Sequence, residues 1–285
     1  MHYYAVSAKT IRNEEKNRFH EFKILEEMSD DDYEALHGAI SITKIFSGLS
    51  QIRDIVIANG SSLIRYTRGE NIKLLHEQHE TSKVIIREAN KYAFNYASSV
   101  KTFVDMAHLV LEARPDDLER FKQFESEMYD DHFEYRFWMR LRNYVVHCQL
   151  PYTGFVASLE DGCNVICSRD HLVQWKNWGK VLKEDLLRRE DNLDLGSTVD
   201  QMSGCINALF VFGISCFTYE IADATRVIGS MYRKYKIQDG FVIGKSEAAR
   251  DHANMSFTPI PISEVMEMVE VLKLNPNVKL TMEPL

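Results

Sequence analysis

From Asn71 to Ala113 the chain carries neither proline nor glycine, so nothing in that stretch forces a helix to stop. Other absences narrow the function. There is no glycine-rich phosphate loop, Walker sequence, dinucleotide fingerprint or Gly-x-Ser-x-Gly elbow, which disfavours nucleotide-dependent and α/β-hydrolase chemistry. Positive charge is not in excess: 34 Lys and Arg against 42 Asp and Glu give a net charge of −8. A general basic footprint for nucleic acid is therefore lacking, and any such contact must come from a local patch. Long apolar runs are missing too. The most apolar segment, 205–217, is shorter than the about 20 residues a membrane span needs. The first residues lack the charged region and apolar run of a secretory leader. Five cysteines, an odd number, fit reduced thiols. The expectation is a cytoplasmic protein without membrane association. No internal repeat or low-complexity linker is found, and 45% apolar residues supply a core and exclude global disorder.

The apolar spacing is mostly that of helices. A short strand is expected at Tyr3–Val6 and a helix at Asn13–Met28. Ser29 with Asp30, Asp31 and Asp32 reads as a cap and acidic first turn of a helix to about Phe46. Another helix is expected at Leu49–Tyr66, with Asn59-Gly60 a weak point. Within 71–113, Ile85, Ala89, Tyr92, Tyr96, Val100, Phe103, Ala107 and Val110 form one stripe. This is one very long helix, or two with a break near Thr81-Ser82 or Ser98-Ser99. Pro115 opens the next helix, which is expected to run on until Pro151 stops it. Two β-prone runs around Asp161-Gly162 predict a hairpin. Helices follow at Trp175–Arg189 and Ser197–Lys236. Gly240–Ile243 is a possible strand, Ala248–Asn254 a loop and Ser263–Leu274 the last helix. The expected class is mainly α, an up-and-down bundle of long helices with a small β-hairpin insertion. A single domain is expected over 1–285, with a bundle core at about 30–150, the hairpin at about 153–168 and further helices at about 175–274.

One stretch, Tyr135–Pro151, concentrates chemistry: Arg136, Arg140, Arg142, Asn143 and His147 lie among large apolar residues late in a helix. RNA carries its own nucleophile, the ribose 2′-OH. Its cleavage needs a group that moves protons near neutral pH and a cation for the charge that builds on phosphorus. Histidine and arginine suit those tasks. This scheme requires no metal or other cofactor. Residues five apart on a helix lie about 140° apart, so Arg142 and His147 do not share a face. Asn143 and His147 do, and Arg136 and Arg140 continue that face. Either Arg142 swings round, or the helix is irregular near Pro151, or two copies meet and share the site. The same residues also fit a structural role, with Arg142 paired to Asp130, Asp131 or Glu134 and His147 half-buried.

The run Leu141-Arg142-Asn143-Tyr144-Val145-Val146-His147-Cys148-Gln149-Leu150-Pro151 resembles the signature of the HEPN superfamily of helical-bundle ribonucleases. That pattern is Arg, four to six residues, then His, with a polar residue after the Arg. Many members also carry an aromatic at the position of Tyr144 and a Leu-Pro after the His. The resemblance implies a metal-independent endoribonuclease, usually a homodimer with both motifs at the shared interface. It would leave a 2′,3′-cyclic phosphate and a 5′-hydroxyl, in a toxin–antitoxin or antiviral-defence setting with an antitoxin or defence partner. His147 would be the general acid–base, Arg142 would hold the phosphate and Asn143 would position. Arg136, Arg140 and Tyr144 are read as RNA contacts. One toxin subgroup carries a Tyr two residues after the His, which a partner adenylylates. Gln149 stands there, so that control is not expected. Some members keep the helices without the activity, so a non-catalytic interaction or regulatory module is the alternative.

Other clusters carry weaker signals. Cys163, Cys167 and His171 could begin a zinc site, but only Cys148 could complete it, and small residues of a hairpin explain them better. His76 and His79, with Glu77 and Glu80, read as a solvated face, and His108 as a core or interface histidine. Arg188-Arg189 reads as a helix end. Tyr232-Arg233-Lys234-Tyr235-Lys236 reads as a helix C-terminus or a phosphate-contacting patch.

Overall fold

The computed structural model describes residues 1–12, 18–158, 162–237, 239–247 and 255–279. The protein is mainly helical, with ten α-helices and two small antiparallel sheets among the described residues. The chain divides into two compact units, 1–48 with 214–285 and 49–213. The sequence reading assigned one domain to the whole. No single helix of the described residues is long and apolar enough to cross a membrane.

In the first unit, β1 (His2–Arg12) pairs with β2 (Arg18–Glu27) and with β5 (Gly240–Ser246), which pairs with β6 (Ser256–Pro259). The sheet order is β2-β1-β5-β6. The helix expected at 13–28 is thus a strand over 18–27, and its first residues, 13–17, lie outside the described ones. Phe22 and Ile24 alternate as a strand requires. Ile24 packs on the buried cluster of Tyr4, Val6 and Val242, and a bulge opposite Ala5 and Val6 takes up one extra residue. The loop expected at 248–254 also lies outside the described residues. The last helix, α10 (Ile262–Lys273), packs on α9 (Thr218–Lys234).

The helix α1 (Asp30–Thr67) is continuous, with no end at Phe46. Phe46 and Leu49 are both buried, so packing carries the helix through the expected gap. Ser29 Oγ accepts the Asp32 N–H at 3.2 Å, the cap read from the sequence. The Asp32 carboxylate accepts from Lys234 and, at 2.5 Å, from the Tyr235 hydroxyl. Burial opposes its ionisation, yet these bonds, the Ser29 bond and the Lys234 charge hold it below the ordinary carboxylate range. A carboxyl with a lowered folded-state pKa stabilises the fold above its unfolded value, about 3.9, and that stability is lost as the pH falls toward the depressed one. Chemical denaturation between pH 7 and 2 should show acid destabilisation that Asp32→Asn diminishes. An unchanged acid slope in the variant would remove Asp32 from the account. Lys234 and Tyr235 of the basic–aromatic cluster are thus committed to Asp32, while Arg233 and Lys236 are exposed.

In the second unit, α2 (Gly69–Glu77) and α3 (Ser82–Leu111) divide at Thr81, one of the expected breaks, where the Thr81 side chain accepts from Val84 N–H. Asn59-Gly60 does not weaken α1. A Cβ on Gly60 would lie 2.6 Å from Val199 Cγ1 and 3.0 Å from Tyr96 Cε2, so glycine permits close packing there. Pro115 opens α4 (Pro115–Asp131), as expected, but the helix ends at His132, whose φ of −117° and ψ of 114° are extended. A separate α5 (Phe133–His147) follows. The hairpin is β3 (Gly154–Ser158) with β4 (Gly162–Ile166), and its turn, 159–161, lies outside the described residues. After α6 (Arg169–Val173) and a 3₁₀ turn at Lys176–Trp178, Gly179 with a φ of +82° separates α7 (Lys180–Leu187). The helix expected over 197–236 is two, α8 (Val199–Ser215) and α9.

Candidate active site

Two sets of aromatic contacts fix α5 about its axis. Trp138 meets Tyr96 of α3 edge-on at 4.6 Å, and its indole N–H donates to Thr198 Oγ1 at 2.8 Å. Phe137 and Tyr144 stack on Trp178 at 5.9 and 5.2 Å, and Trp175 meets Tyr144 edge-on. The aromatics of the key stretch are therefore core residues. Tyr144 is fully buried, which corrects its assignment as an RNA contact: no face of the ring is free for a base. Its hydroxyl accepts from Gln149 Nε2 at 2.7 Å, and burial pushes the phenol up to about 12.

Arg136 is also corrected. It is buried, donating to the Tyr129 and Asp130 carbonyls at 2.5 and 2.6 Å and to Asp185 of α7 at 2.8 Å. Those carbonyls belong to the last turn of α4, so Arg136 ties three helices together. It is not available to RNA.

The other motif residues face outward. Arg140 and His147 are exposed, and Arg142 and Asn143 half-buried. Arg142 Nη1 donates to Asn143 Oδ1 at 3.4 Å. None of Asp130, Asp131 or Glu134 pairs with Arg142; Glu134 lies 3.9 Å from Arg189. Among the described residues, no hydrogen-bond or ion-pair partner meets the His147 ring. The structure thus brings Arg142 and Asn143 together. Because α5 is helical through 142–147, it leaves Arg142 and His147 on different sides.

The chain after His147 is anchored. Cys148 N–H donates to Tyr144 O at 2.8 Å, closing the helix before Pro151 is reached. Buried Asn90 of α3 then clamps Tyr152, donating to its carbonyl at 2.8 Å and accepting its N–H at 2.9 Å. The backbone on both sides of His147 is held, and an immobile support is what a proton-transferring side chain needs.

The weaker candidates settle differently. Cys163 and Cys167 are buried, and burial pushes the Cys167 thiol up. His171 Nδ1 lies 3.2 Å from Thr153 Oγ1. Among the described residues, no group of three His, Cys, Asp or Glu side chains is arranged to hold a metal. His76 contacts the Phe155 ring. His108 Nε2 lies 2.7 Å from Glu125 Oε2, joining α3 to α4. Arg189 covers the Phe133 ring at 4.1 Å.

Sequence reading missed one feature. Residues 175–183 carry Lys176, Lys180 and Lys183 and no acidic residue, and all three lysines are exposed. A net-positive run in a chain of net charge −8 was its available signal. No protein-family model, curated protein or solved structure matches the chain.

Proposed function

We propose that the protein is an endoribonuclease of the HEPN type, an up-and-down helical bundle that cleaves RNA with Arg142, Asn143 and His147. The observation that carries this reading is an exposed His147 without a partner among the described residues, at the end of a helix fixed on both sides. Arg142 adds a guanidinium committed to no carboxylate among the described residues. Had both side chains been buried in ion pairs, the motif would be structural.

In the proposed reaction the 2′-OH gives up its proton and its oxygen attacks phosphorus. The P–O5′ bond breaks and the leaving oxygen takes a proton, leaving a 2′,3′-cyclic phosphate and a 5′-hydroxyl. His147 moves the protons, Arg142 bears the phosphorane charge and Asn143 orients Arg142. The nucleophile is the substrate's own, so the scheme needs no metal.

Arg142 and His147 lie about 140° apart on α5, and the proposed solution is a homodimer in which two copies complete a shared cleft. Val146 and Leu150, 48% and 47% exposed, flank His147 with apolar surface that a second copy would cover. The proposed setting is cytoplasmic, in toxin–antitoxin or antiviral defence, with an antitoxin or defence partner. The net charge of −8 favours one second reading, a non-catalytic interaction or regulatory module of such a system.

The test is cleavage of total RNA and tRNA in EDTA by wild type and His147→Ala, with end-group analysis. Cyclic-phosphate ends from wild type alone are expected. Equal cleavage by both proteins would reject the role of His147.

A further inference from the structure

The segment 175–189 runs antiparallel along α5. Arg189 lies by Phe133 and Glu134 at the start of α5. Asp185 meets Arg136 one turn on, and Trp178 and Trp175 meet Tyr144 near its end. The two strips segregate their charge. At the Arg189 end every charged contact is internal: Arg136 with Asp185, and Arg189 with Glu134. Toward the His147 end the carboxylates stop. Between Trp175 and Lys183, and between Tyr135 and His147, there is no acidic residue. Lys176, Lys180 and Arg140 are exposed there, with no carboxylate partner among the described residues. Arg140 lies on α5 between Arg136 and Tyr144. Lys180 lies on the facing segment between Trp178 and Asp185, the two residues of that segment that meet α5 on either side of it. Glu184, one turn beyond Lys180, marks where the positive surface ends.

We infer that Lys176, Lys180 and Arg140 form a phosphate track that guides an RNA strand to the Arg142–His147 end of α5. This rests on the endoribonuclease reading and adds the binding surface that reading needs. In an acidic chain, three exposed cations on two packed strips, without counter-charges among the described residues, keep a favourable interaction available for an external polyanion. The track is held in place by the buried aromatic contacts and by the Arg136–Asp185 pair, so its lysines do not have to be ordered on binding as a loop would.

The test uses the full-length His147→Ala protein, which removes cleavage from the measurement, and a fluorescein-labelled single-stranded RNA. Binding is followed by anisotropy over a range of salt. Lys176→Gln with Lys180→Gln should weaken binding roughly tenfold and lower the slope of log K against log salt by about 1.4, near 0.7 for each lost phosphate contact. Lys44→Gln with Lys122→Gln, also exposed lysines, should change neither. Unchanged affinity and slope in the Lys176/Lys180 variant would overturn the track, as would absence of RNA binding by the parent. The two readings fail separately. Track-dependent binding with no cleavage by the unmutated protein would reject the ribonuclease and keep the track. Cleavage with KM unaltered by the track substitutions would do the reverse.

Discussion

His147→Ala should lower the rate of RNA cleavage by roughly 10²- to 10⁴-fold, the range of a lost general acid–base group, and leave the melting temperature unchanged. Both halves of that expectation come from the same fact. The ring is exposed and meets no partner among the described residues, so truncating it opens no cavity and orphans no polar atom. Arg142→Ala should also be slow. Arg142→Lys should recover part of the loss, because an ammonium supplies charge without the planar fork. A fall in activity that tracked a fall in melting temperature would mean that the end of α5 had come loose. Undiminished cleavage by His147→Ala would end the proposed mechanism.

Trp178→Ala should destabilise the protein by about 3–5 kcal/mol, the usual cost of truncating a large buried aromatic. Trp178 is fully buried. It carries Phe137 and Tyr144 on its ring faces and Trp175 against its edge. Its indole N–H also donates to Leu172 O at 2.6 Å, and the variant loses that bond, while the carbonyl keeps the Trp175 N–H at 3.1 Å. Urea denaturation would measure the loss, and a cost under about 1 kcal/mol would mean that the surrounding rings can close the gap. The same substitution removes what seats 175–183 against α5. RNA affinity should therefore fall even where the lysines are intact, in conditions under which the variant remains folded.

The fold was legible in the sequence where its causes are local. Thr81-Ser82 could be read as one of two candidate breaks, Pro115 as a first helical residue and the β-prone runs around Asp161-Gly162 as a hairpin, because each depends on a few neighbouring residues. The four-stranded sheet was not legible. β1 finds β5 at the other end of the sequence, and the spacing of Phe19, Phe22 and Leu25 imitates a helical face. The break at His132 has neither proline nor glycine to announce it. Within the candidate site, the types and order of Arg142, Asn143 and His147 could be read, and so could their angular mismatch on a helix. What could not be read was which cations face inward. Arg136 and Arg140 differ by one turn, yet the first is buried against the Tyr129 and Asp130 carbonyls and Asp185, far along the chain, while the second is exposed. The lysines of 175–183 lack a motif of their own. They gain meaning only from the helix they lie beside.

The pairing of β1 with β5 also has a consequence for how the chain emerges from the ribosome. Ala5 lies opposite Ile243, and the whole of 49–213 is translated between them. Residues 49–213 form one uninterrupted segment, so every partner they need within their own unit is present once Gly213 has been made. The N-terminal hairpin has no such independence. Its inner strand keeps a row of unpaired backbone groups until Gly240–Ser246 has been made, and during that interval it is open to pairing with a wrong strand.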